Sequence, residues 1–360
     1  KESVHRICSG QVVVDLASAV KELVENAIDA GATAVEVKLK DFGSESIEVS
    51  DNGAGIDPKN YDSVARKHHT SKLSVFSDLV GVASFGFRGE ALNALCELSG
   101  DFTVTTKMPS EQVGAALVFG RDGGLSSQKM VARGQGTTVT VERLFEALPV
   151  RRGEFKRSIK KQYQRMLRVV QGYAVIATHV RLSVSNTSAK GGRSNVLSTQ
   201  GTGKLSDTIS SVFGSKFLST LIPLSVEWTV PAPAAEASPT ESMSDGDGDV
   251  GEDDGEDKGR VLASVSTTLQ APPPSSFASA PASVSPSSPA KATITGYVSK
   301  CGAGVGRSDS DRQFWFINGR PVDLAKFTKA LNEVWRRFEM KQKPACVLNL
   351  IVPGPWVDVN

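Results

Sequence analysis

A short amphipathic helix with a polar stripe is the sequence feature that most constrains how this chain can fold. Helical periodicity runs from about Asp15 to Gly31, where a glycine favours the left-handed conformation that ends many helices. Polar residues three or four positions apart share one face, namely Glu22, Glu25, Asn26 and Asp29. The opposite face is expected to be buried and consists of Leu16, Ala19, Val20, Leu23, Ala27 and Ile28. Carboxylate and amide oxygens one turn apart can hold a water molecule and a hard cation, and a solvated polar face is the ordinary alternative.

Two alternating segments follow the helix and predict a pair of strands. Residues 34–40 and 46–50 alternate apolar and polar side chains, with Gly43 in the turn between them. The second strand leads into the sequence D-N-G-A-G at residues 51–55. Asp51 can accept a hydrogen bond from an exocyclic amine there, and the glycines allow a flat ring to approach the backbone. For this motif alone, a tight turn is the alternative.

Two glycine-containing motifs lie further along the chain. The first joins K-H-H-T-S-K at residues 67–72 to S-F-G-F-R-G-E-A-L at residues 84–92. Backbone N–H groups of such a loop, and the N-terminus of a helix predicted from Glu90 to Leu98, can cradle phosphate oxygens. Lys72 and Arg88 would add positive charge, and a flexible loop before an ordinary helix is the alternative. The second motif, G-Q-G-T-T-V-T-V at residues 134–141, predicts a glycine turn that feeds a strand.

The order and spacing of these motifs resemble the ATP-binding site of the GHKL superfamily, to which gyrase B, Hsp90, histidine kinases and MutL belong. The motifs are E-L-x-E-N-x-x-D-A-G from Glu22, D-N-G-x-G from Asp51, T-S-K with G-F-R-G-E-A-L, and G-T-x-V. Within the superfamily, residues 20–33, 85–92 and 144–151 are similar to MutL mismatch-repair proteins. The segments I-C-S-G-Q-V, H-H-T-S-K and D-R-Q-F-W-F-I-N-G-R-P resemble the eukaryotic post-meiotic-segregation (PMS) branch.

The resemblance implies roles in ATP binding and hydrolysis for residues at matching positions. Glu22 would be the general base that activates the attacking water, and Asn26 would be the Mg²⁺ ligand. Asp51 would read adenine, with three residues around the base, namely Gly53, Gly55 and Thr137. The lid expected to close over the phosphates contains Thr70, Ser71, Lys72, Gly86, Phe87, Arg88, Gly89, Glu90, Ala91 and Leu92. Hydrolysis is expected to be slow, because in this family lid closure and pairing of two domains precede chemistry.

The chain is expected to be an α+β protein of two domains, since 360 residues exceed one average core. The resemblance implies a Bergerat-type (GHKL) two-layer α/β sandwich over residues 1–200. A transducer domain with the fold of the ribosomal S5 second domain would comprise residues 201–230 and 292–360, with a crossing helix from Asp323 to Met340. In relatives, a lysine in the sequence N-V-x-P-x-K completes the ATP site. That sequence would come directly after residues 357–360, so this chain is expected to bind ATP and to hydrolyse it poorly.

Residues 231–291 differ in composition and are expected to form a disordered insert. The segment has ten acidic residues against three basic ones, and Ala, Pro and Ser dominate its second half. Because the whole chain carries +2, a net charge of −7 on this segment leaves +9 on the folded remainder. A basic body suits a nucleic-acid partner, and we hypothesise that the acidic insert competes for the same surface.

A basic run predicts where DNA would bind. From Arg151 to Arg168, eight Lys or Arg residues accompany a single acid, Glu154, and a single helix is expected. Such a surface can follow phosphates without reading bases, and a solvated helix face is the alternative. The residues predicted to bind DNA are Arg151, Arg152, Lys156, Arg157, Lys160 and Lys161.

Cysteine spacing and hydropathy limit the classes of protein to which this chain can belong. The four cysteines contain no C-x-x-C pair, which indicates neither a zinc site nor a disulfide framework, and no apolar run approaches the ~18 residues that span a bilayer. The resemblance implies a nuclear protein that pairs with another MutL-family subunit as a heterodimer. It also implies double- or single-stranded DNA and MutS-type mismatch-recognition proteins as partners, and no membrane. The alternatives are a nucleotide-sensing module with little hydrolysis, or another GHKL chaperone or topoisomerase.

Overall fold

The computed structural model describes residues 9–67, 90–230, 290–302, 305–339 and 341–353. These residues form two mixed β-sheets with helices packed against them. The α+β class predicted from the sequence is therefore confirmed. None of the helices in the described ranges has the length and apolar character needed to cross a bilayer.

The first sheet has eight strands that run in the order β5-β4-β3-β6-β2-β1-β7-β8. In chain order they are β1 (Ala34–Lys40), β2 (Ser46–Asp51), β3 (Asp101–Lys107), β4 (Gly114–Phe119), β5 (Leu125–Val131), β6 (Gly136–Glu142), β7 (Arg181–Thr187) and β8 (Arg193–Ser198). Neighbouring strands are antiparallel apart from β1 and β7, which are parallel. In this order β2 and β6 are hydrogen-bonded neighbours, and these two strands carry two of the predicted motifs.

Helices pack on one face of this sheet and form the second layer of the sandwich. They are α1 (Leu16–Asp29), α2 (Ala91–Leu98), α3 (Pro149–Arg157) and α4 (Ile159–Ile176). Alternate residues of β1, such as Val35, Val37 and Leu39, are buried in the core between the two layers. Burial of every second strand residue against helices is what the alternating pattern of residues 34–40 predicted.

Helix α1 begins and ends where its sequence indicates. The Asp15 carboxylate accepts from the Ser18 N–H at 2.7 Å, while the Ser18 hydroxyl accepts from the Asp15 N–H at 2.9 Å. This reciprocal capping box satisfies two N–H groups that have no partner within the helix. Gly31 follows the helix with φ +72°, the left-handed conformation that a residue without Cβ adopts readily.

The second sheet has five strands in the order β12-β11-β13-β10-β9. The strands are β9 (Leu221–Val230), β10 (Ala290–Ser299), β11 (Gln313–Ile317), β12 (Arg320–Val322) and β13 (Cys346–Ile351). Its helices are α5 (Leu205–Phe213), α6 (Ser215–Leu218) and α7 (Ala325–Trp335). Helix α7 is therefore shorter than the crossing helix predicted over residues 323–340.

Helix α4 joins the two parts of the molecule. Its Val175 is fully buried in a core that also contains Phe314 and Phe316 of β11. The carbonyl of Val175 accepts a hydrogen bond from the Thr208 hydroxyl of α5 at 2.9 Å, and Arg168 donates to the Ser310 carbonyl at 3.0 Å. One helix of the first layer thus serves as a wall of the second core.

The predicted basic helix is wrong in one respect, because it is two helices. Helix α3 ends at Arg157 and α4 begins at Ile159, with Ser158 between them at φ −101° and ψ 12°. The Ser158 hydroxyl donates to the Glu154 carbonyl at 2.9 Å. A serine hydroxyl that bonds to the carbonyl four residues earlier favours a helix end over a helix interior, which explains the break.

The predicted insert also extended too far toward its C-terminal end. Ala290 and Lys291 belong to β10, where they pair with Val230 and Thr229 of β9. Lys291 additionally forms an ion pair with Glu227 at 2.7 Å, so its charge is used within the sheet. Residues 231–289, where disorder was predicted, lie outside the described residues.

Candidate active site

The end of α1 is joined to the loop that follows β2. Ala54 donates its backbone N–H to the Ala30 carbonyl at 2.9 Å. Gly53 lies so close to this helix end that a Cβ there would be 2.7 Å from the same carbonyl oxygen. The Asn52 side-chain oxygen accepts from the Ala34 N–H at 2.8 Å. The D-N-G-A-G loop is therefore held at a defined position relative to the polar stripe of the helix.

Asp51 is the last residue of β2, and only one of its two carboxylate oxygens accepts hydrogen bonds from the described residues. Its Oδ1 accepts from the N–H groups of Gly53 at 2.8 Å and Thr137 at 3.1 Å. Burial raises the pKa of Asp51, although these two hydrogen bonds and the nearby Arg133 act to lower it. Within the described ranges, Oδ2 accepts no hydrogen bond. One acceptor oxygen thus remains for an amine, which is the role predicted for this residue.

Glycines allow the loop to lie directly against the neighbouring strands. Gly55 has φ +75°, and a Cβ there would be 2.3 Å from the Lys107 carbonyl oxygen. Gly136 has φ +118°, and a Cβ there would be 2.1 Å from the Asp51 carbonyl oxygen. Only a residue without a side chain fits either position. The two glycines therefore allow backbone segments to pack closely around the Asp51 carboxylate, in the region that forms the floor of the candidate site.

Two residues of this floor were missed by reasoning from the sequence. Thr106 is fully buried; its hydroxyl oxygen accepts from the Ile56 N–H at 2.9 Å and lies 3.1 Å from the Thr137 hydroxyl. Arg133 donates to the Asp51 carbonyl at 3.2 Å. A threonine in a strand and an arginine in a loop are not part of any local sequence pattern that indicates a binding site. Only the pairing of β3 with β6, which sets Thr106 opposite Thr137, brings these residues together.

The polar stripe leads away from this floor along α1. Because a helix rises about 1.5 Å per residue, Asn26 lies about 6 Å and Glu22 about 12 Å along the axis from Ala30. Both side chains are half-buried, and the Glu22 side chain is 26% exposed. The arrangement places the Asn26 amide oxygen and then the Glu22 carboxylate at increasing distance from the Asp51 end of the site.

Glu25 does not belong to the solvent-facing stripe, contrary to the sequence prediction. It is 6% exposed, and its carboxylate accepts hydrogen bonds from the Tyr173 hydroxyl of α4 and from Lys21, the latter at 2.9 Å. Burial raises the pKa of Glu25, although Lys21 and Tyr173 act to lower it. Because α4 covers this side of α1, the polar face is narrower than periodicity indicates.

Most of the predicted lid lies outside the described residues. This applies to Thr70, Ser71, Lys72, Gly86, Phe87, Arg88 and Gly89. The described end of the motif behaves as predicted from its helix signal, since α2 begins at Ala91 directly after Glu90. Leu92 packs against the first core. Any role of these three residues in a lid stays a prediction.

Arg151 and Arg152 have partners within the chain, and their predicted DNA contact stays a prediction. The Arg151 guanidinium donates to the carbonyls of Gly10 at 3.0 Å and Val13 at 3.1 Å, and it lies over the Phe145 ring. Arg152 forms an ion pair with Glu146 at 2.9 Å, and its side chain is 19% exposed. Both arginines tie α3 to neighbouring segments.

The other four basic residues stay at the surface. Lys156 pairs with Glu45 at 3.1 Å, and both side chains are exposed. Arg157, Lys160 and Lys161 are exposed and form no ion pair with any described residue. Since α3 and α4 meet at Ser158, these charges cluster around one helix junction. A DNA contact of these residues stays a prediction.

The residues present suit a purine nucleotide and a hard cation. The unused Asp51 Oδ2 matches an amine donor such as the exocyclic amine of adenine, since only Oδ1 accepts from Gly53 and Thr137. Asn26 and Glu22 supply amide and carboxylate oxygens, the donor types that Mg²⁺ prefers. Few protein ligands are needed, because Mg²⁺ usually keeps several waters and shares phosphate oxygens.

Comparison with known proteins agrees with this site. Residues 14–120 match the family model described as "Histidine kinase-, DNA gyrase B-, and HSP90-like ATPase". Residues 274–360 match the model described as "DNA mismatch repair protein, C-terminal domain". The ADP-bound MutL ATPase domain of Aquifex aeolicus shares the fold, with a TM-score of 0.55 at 20% identity. The first domain is thus of the GHKL ATPase class.

Similarity to relatives extends over the whole chain. A solved structure described as the "N terminal domain of a DNA repair protein" is 36% identical, covers 99% of this chain and 89% of its own, and has a TM-score of 0.76. The mismatch repair endonuclease PMS2 of Gallus gallus is 43% identical over 360 residues, which is 36% of that protein. The mismatch-repair protein PMS1 of Arabidopsis thaliana is 42% identical over 357 residues, 32% of its length.

The chain belongs to the MutL family of DNA mismatch-repair proteins, in the PMS branch, as the sequence motifs predicted. It spans about a third of the length of the curated relatives it matches.

Proposed function

We propose that this chain is the module of a MutL-type mismatch-repair subunit that binds ATP and hydrolyses it slowly. The observation that carries the proposal is the junction of α1 with the D-N-G-A-G loop, where Ala54 bonds to Ala30 at 2.9 Å. This junction holds the Asp51 acceptor and the Asn26 and Glu22 oxygens on one rigid unit. Phosphoryl transfer depends mainly on such positioning and on stabilisation of charge.

Each residue has a distinct part in the proposed reaction. Asp51 Oδ2 accepts the adenine amine, while Gly55 admits the ring against the strands. Asn26 contributes one oxygen to Mg²⁺, which when bound neutralises phosphate charge. Glu22 accepts a proton from the attacking water. Closure of the lid predicted over residues 70–72 and 86–92 would exclude bulk water before hydrolysis.

The test is equilibrium ATP binding with Mg²⁺ alongside steady-state hydrolysis. We expect both this 360-residue chain and the whole protein that contains it to bind ATP, with faster turnover in the whole protein. Equal turnover would contradict the need for a lysine beyond Asn360. If neither binds, the assignment of Asp51, Asn26 and Glu22 is wrong. Binding with no hydrolysis in either form would favour the alternative of a nucleotide-sensing module.

Asn26→Ala is expected to weaken Mg²⁺-dependent ATP binding about tenfold, because one hard oxygen ligand of the cation is lost. Binding is measured by calorimetry with and without Mg²⁺, and the difference between the two conditions should shrink in the variant. The matched control is Asn195→Ala, at an exposed position on β8. Unchanged Mg²⁺ dependence in Asn26→Ala would overturn the ligand assignment.

We also propose that the helix junction at Ser158 engages DNA phosphates. Arg157→Glu combined with Lys161→Glu is expected to weaken DNA binding about tenfold at moderate salt and to reduce the salt slope by about two. Binding is followed by fluorescence anisotropy over a salt series, on double- and single-stranded DNA. ATP affinity should stay unchanged, since the pair lies apart from the α1 site. Loss of ATP binding as well would indicate misfolding.

The control for this pair carries the same change of charge elsewhere. Lys59 and Lys129 are exposed and form no ion pair with any described residue, so Lys59→Glu with Lys129→Glu alters net charge equally. If the control weakens DNA binding as much as the junction variant, general charge rather than the junction is responsible.

The acidic insert is proposed to compete with DNA for the basic surface. Since Val230 and Ala290 pair in adjacent antiparallel strands, a four-residue turn can replace residues 231–289 without disturbing the sheet. The shortened protein is expected to bind DNA more tightly. A version with a neutral Gly/Ser segment of the original length separates charge from chain length. Unchanged affinity and salt slope in both would refute competition.

Membership of the MutL family also indicates a partner and a cellular location. We propose a nuclear protein that forms a heterodimer with another MutL-family subunit and cooperates with MutS-type mismatch-recognition proteins. Co-purification of the whole protein with a second MutL-type subunit, strengthened by ATP, is the direct test.

A further inference from the structure

Lys21 lies between the proposed base and a buried carboxylate. Its Nζ donates to Glu22 Oε1 at 3.2 Å and to Glu25 Oε2 at 2.9 Å. Within the described part of the chain, Lys21 is the single group that bonds to the Glu22 carboxylate. It holds Oε1, so Oε2 is left to receive a proton. The contact thus distinguishes the two oxygens of the proposed base.

The lysine is itself anchored from the opposite side. Glu25 is almost completely buried, and its Oε1 accepts the hydroxyl of Tyr173 on α4. A carboxylate held by the Tyr173 hydroxyl in a low-dielectric setting is a rigid acceptor for the charge of Lys21. Burial alone would lower the pKa of Lys21, but Glu22 and Glu25 raise it, so the ammonium stays charged at neutral pH.

The anchor continues toward the second sheet. Tyr173 follows Gly172, where a Cβ would be 3.8 Å from side-chain atoms of Phe314 and Pro321. The charge of Arg320 on β12 acts on the Tyr173 hydroxyl. Helix α4, whose Tyr173 bonds to Glu25, is therefore packed directly against the second domain.

We propose that Lys21 is the positioning residue of Glu22, held in place by Glu25 and Tyr173. Through this contact, helix α4 and the second domain set the orientation of the general base. The inference rests on the proposed function, because it gives Glu22 the role of base. In this proposal Lys21 acts on the reaction through its contact with Glu22.

The first test replaces the lysine in the whole protein. Lys21→Met keeps the side-chain length but removes the charge, and kcat is expected to fall about 10- to 100-fold while ATP affinity stays within about twofold. Lys21→Arg should recover most of the turnover, because the guanidinium can still bridge two carboxylates. A high-resolution structure of nucleotide-free Lys21→Met should show Glu22 in more than one rotamer.

The chain offers a closely matched control. Lys38 also bridges two glutamates, Glu36 and Glu48, each at 3.1 Å, and its side chain is 40% exposed against 39% for Lys21. Lys38→Met therefore removes an equivalent pair of ion pairs on the sheet. It is expected to leave both kcat and ATP affinity unchanged.

The anchor is tested with the tyrosines of α4. Tyr173→Phe removes the hydroxyl bound to Glu25 and is expected to lower kcat about threefold to tenfold. Tyr163→Phe is the control, since Tyr163 is also buried on α4 but its hydroxyl bonds to no described residue. In a double-mutant cycle, the effects of Lys21→Met and Tyr173→Phe on kcat should be less than additive, because both act through one contact.

The outcomes separate this inference from the proposed function. Unchanged kcat in Lys21→Met, together with lost turnover in Glu22→Ala, overturns the positioning role and leaves the proposed function intact. An equal loss of ATP affinity and kcat in Lys21→Met also overturns it, because the lysine then serves binding or folding. Retained turnover in Glu22→Ala contradicts the proposed function itself.

Discussion

Replacing Glu22 with alanine is expected to reduce ATP hydrolysis about 100- to 10,000-fold, the range for removal of a general base. ATP affinity should stay within about twofold, because Asp51 and Asn26 are untouched. The Glu22 side chain is 26% exposed and bonds to Lys21 alone among the described residues, so its loss leaves no buried partner without a hydrogen bond. Folding stability should therefore change little.

Three measurements decide the role of Glu22: ATP binding at equilibrium, hydrolysis in single-turnover conditions, and thermal unfolding. The control is Glu154→Ala on α3, an exposed glutamate whose carboxylate forms no hydrogen bond or ion pair with the described residues. A parallel loss of binding and hydrolysis would show that Glu22 is structural. Normal turnover would place the base elsewhere.

Asp51→Asn is expected to weaken ATP binding about 100-fold, equivalent to roughly 3 kcal/mol. The substitution is nearly isosteric, and the amide oxygen can still accept from the N–H groups of Gly53 and Thr137, now 2.8 and 3.1 Å from Oδ1. The second position changes from an acceptor to an NH₂ donor. That donor would face the adenine amine, which is also a donor, so an attractive contact becomes repulsive.

The same argument predicts a change of base preference. Inosine triphosphate has a carbonyl where ATP has the amine, and this carbonyl can accept from the introduced NH₂ group. The ratio of ATP to inosine triphosphate affinity should therefore fall in Asp51→Asn. The control is Asp57→Asn, which alters an aspartate that caps a short turn in the same loop region by accepting from Lys59. Equal losses for both nucleotides would mean that Asp51 supports the loop without reading the base.

The sequence alone was sufficient for features that depend on local geometry. The start of α1 at the Asp15–Ser18 capping box, its end before Gly31 and the strand over residues 34–40 all follow from caps, left-handed glycine and residue periodicity. The order of the four motifs identified the family, because their spacing reflects one site. The glycines of the D-N-G-A-G motif indicated a turn at the end of β2, although the close packing of Gly55 against Lys107 depends on the neighbouring strand.

Only the tertiary structure decided which side chains of those elements are available. Periodicity assigned Glu25 to the polar face, but α4, more than a hundred residues later, covers it with Tyr173. Arg151 carries a charge typical of a DNA surface, yet it bonds to the segment before α1. Thr106 joins the nucleotide floor because β3 pairs with β6. A local pattern determines how residues are arranged along one element, whereas burial and partners depend on distant elements that pack against it.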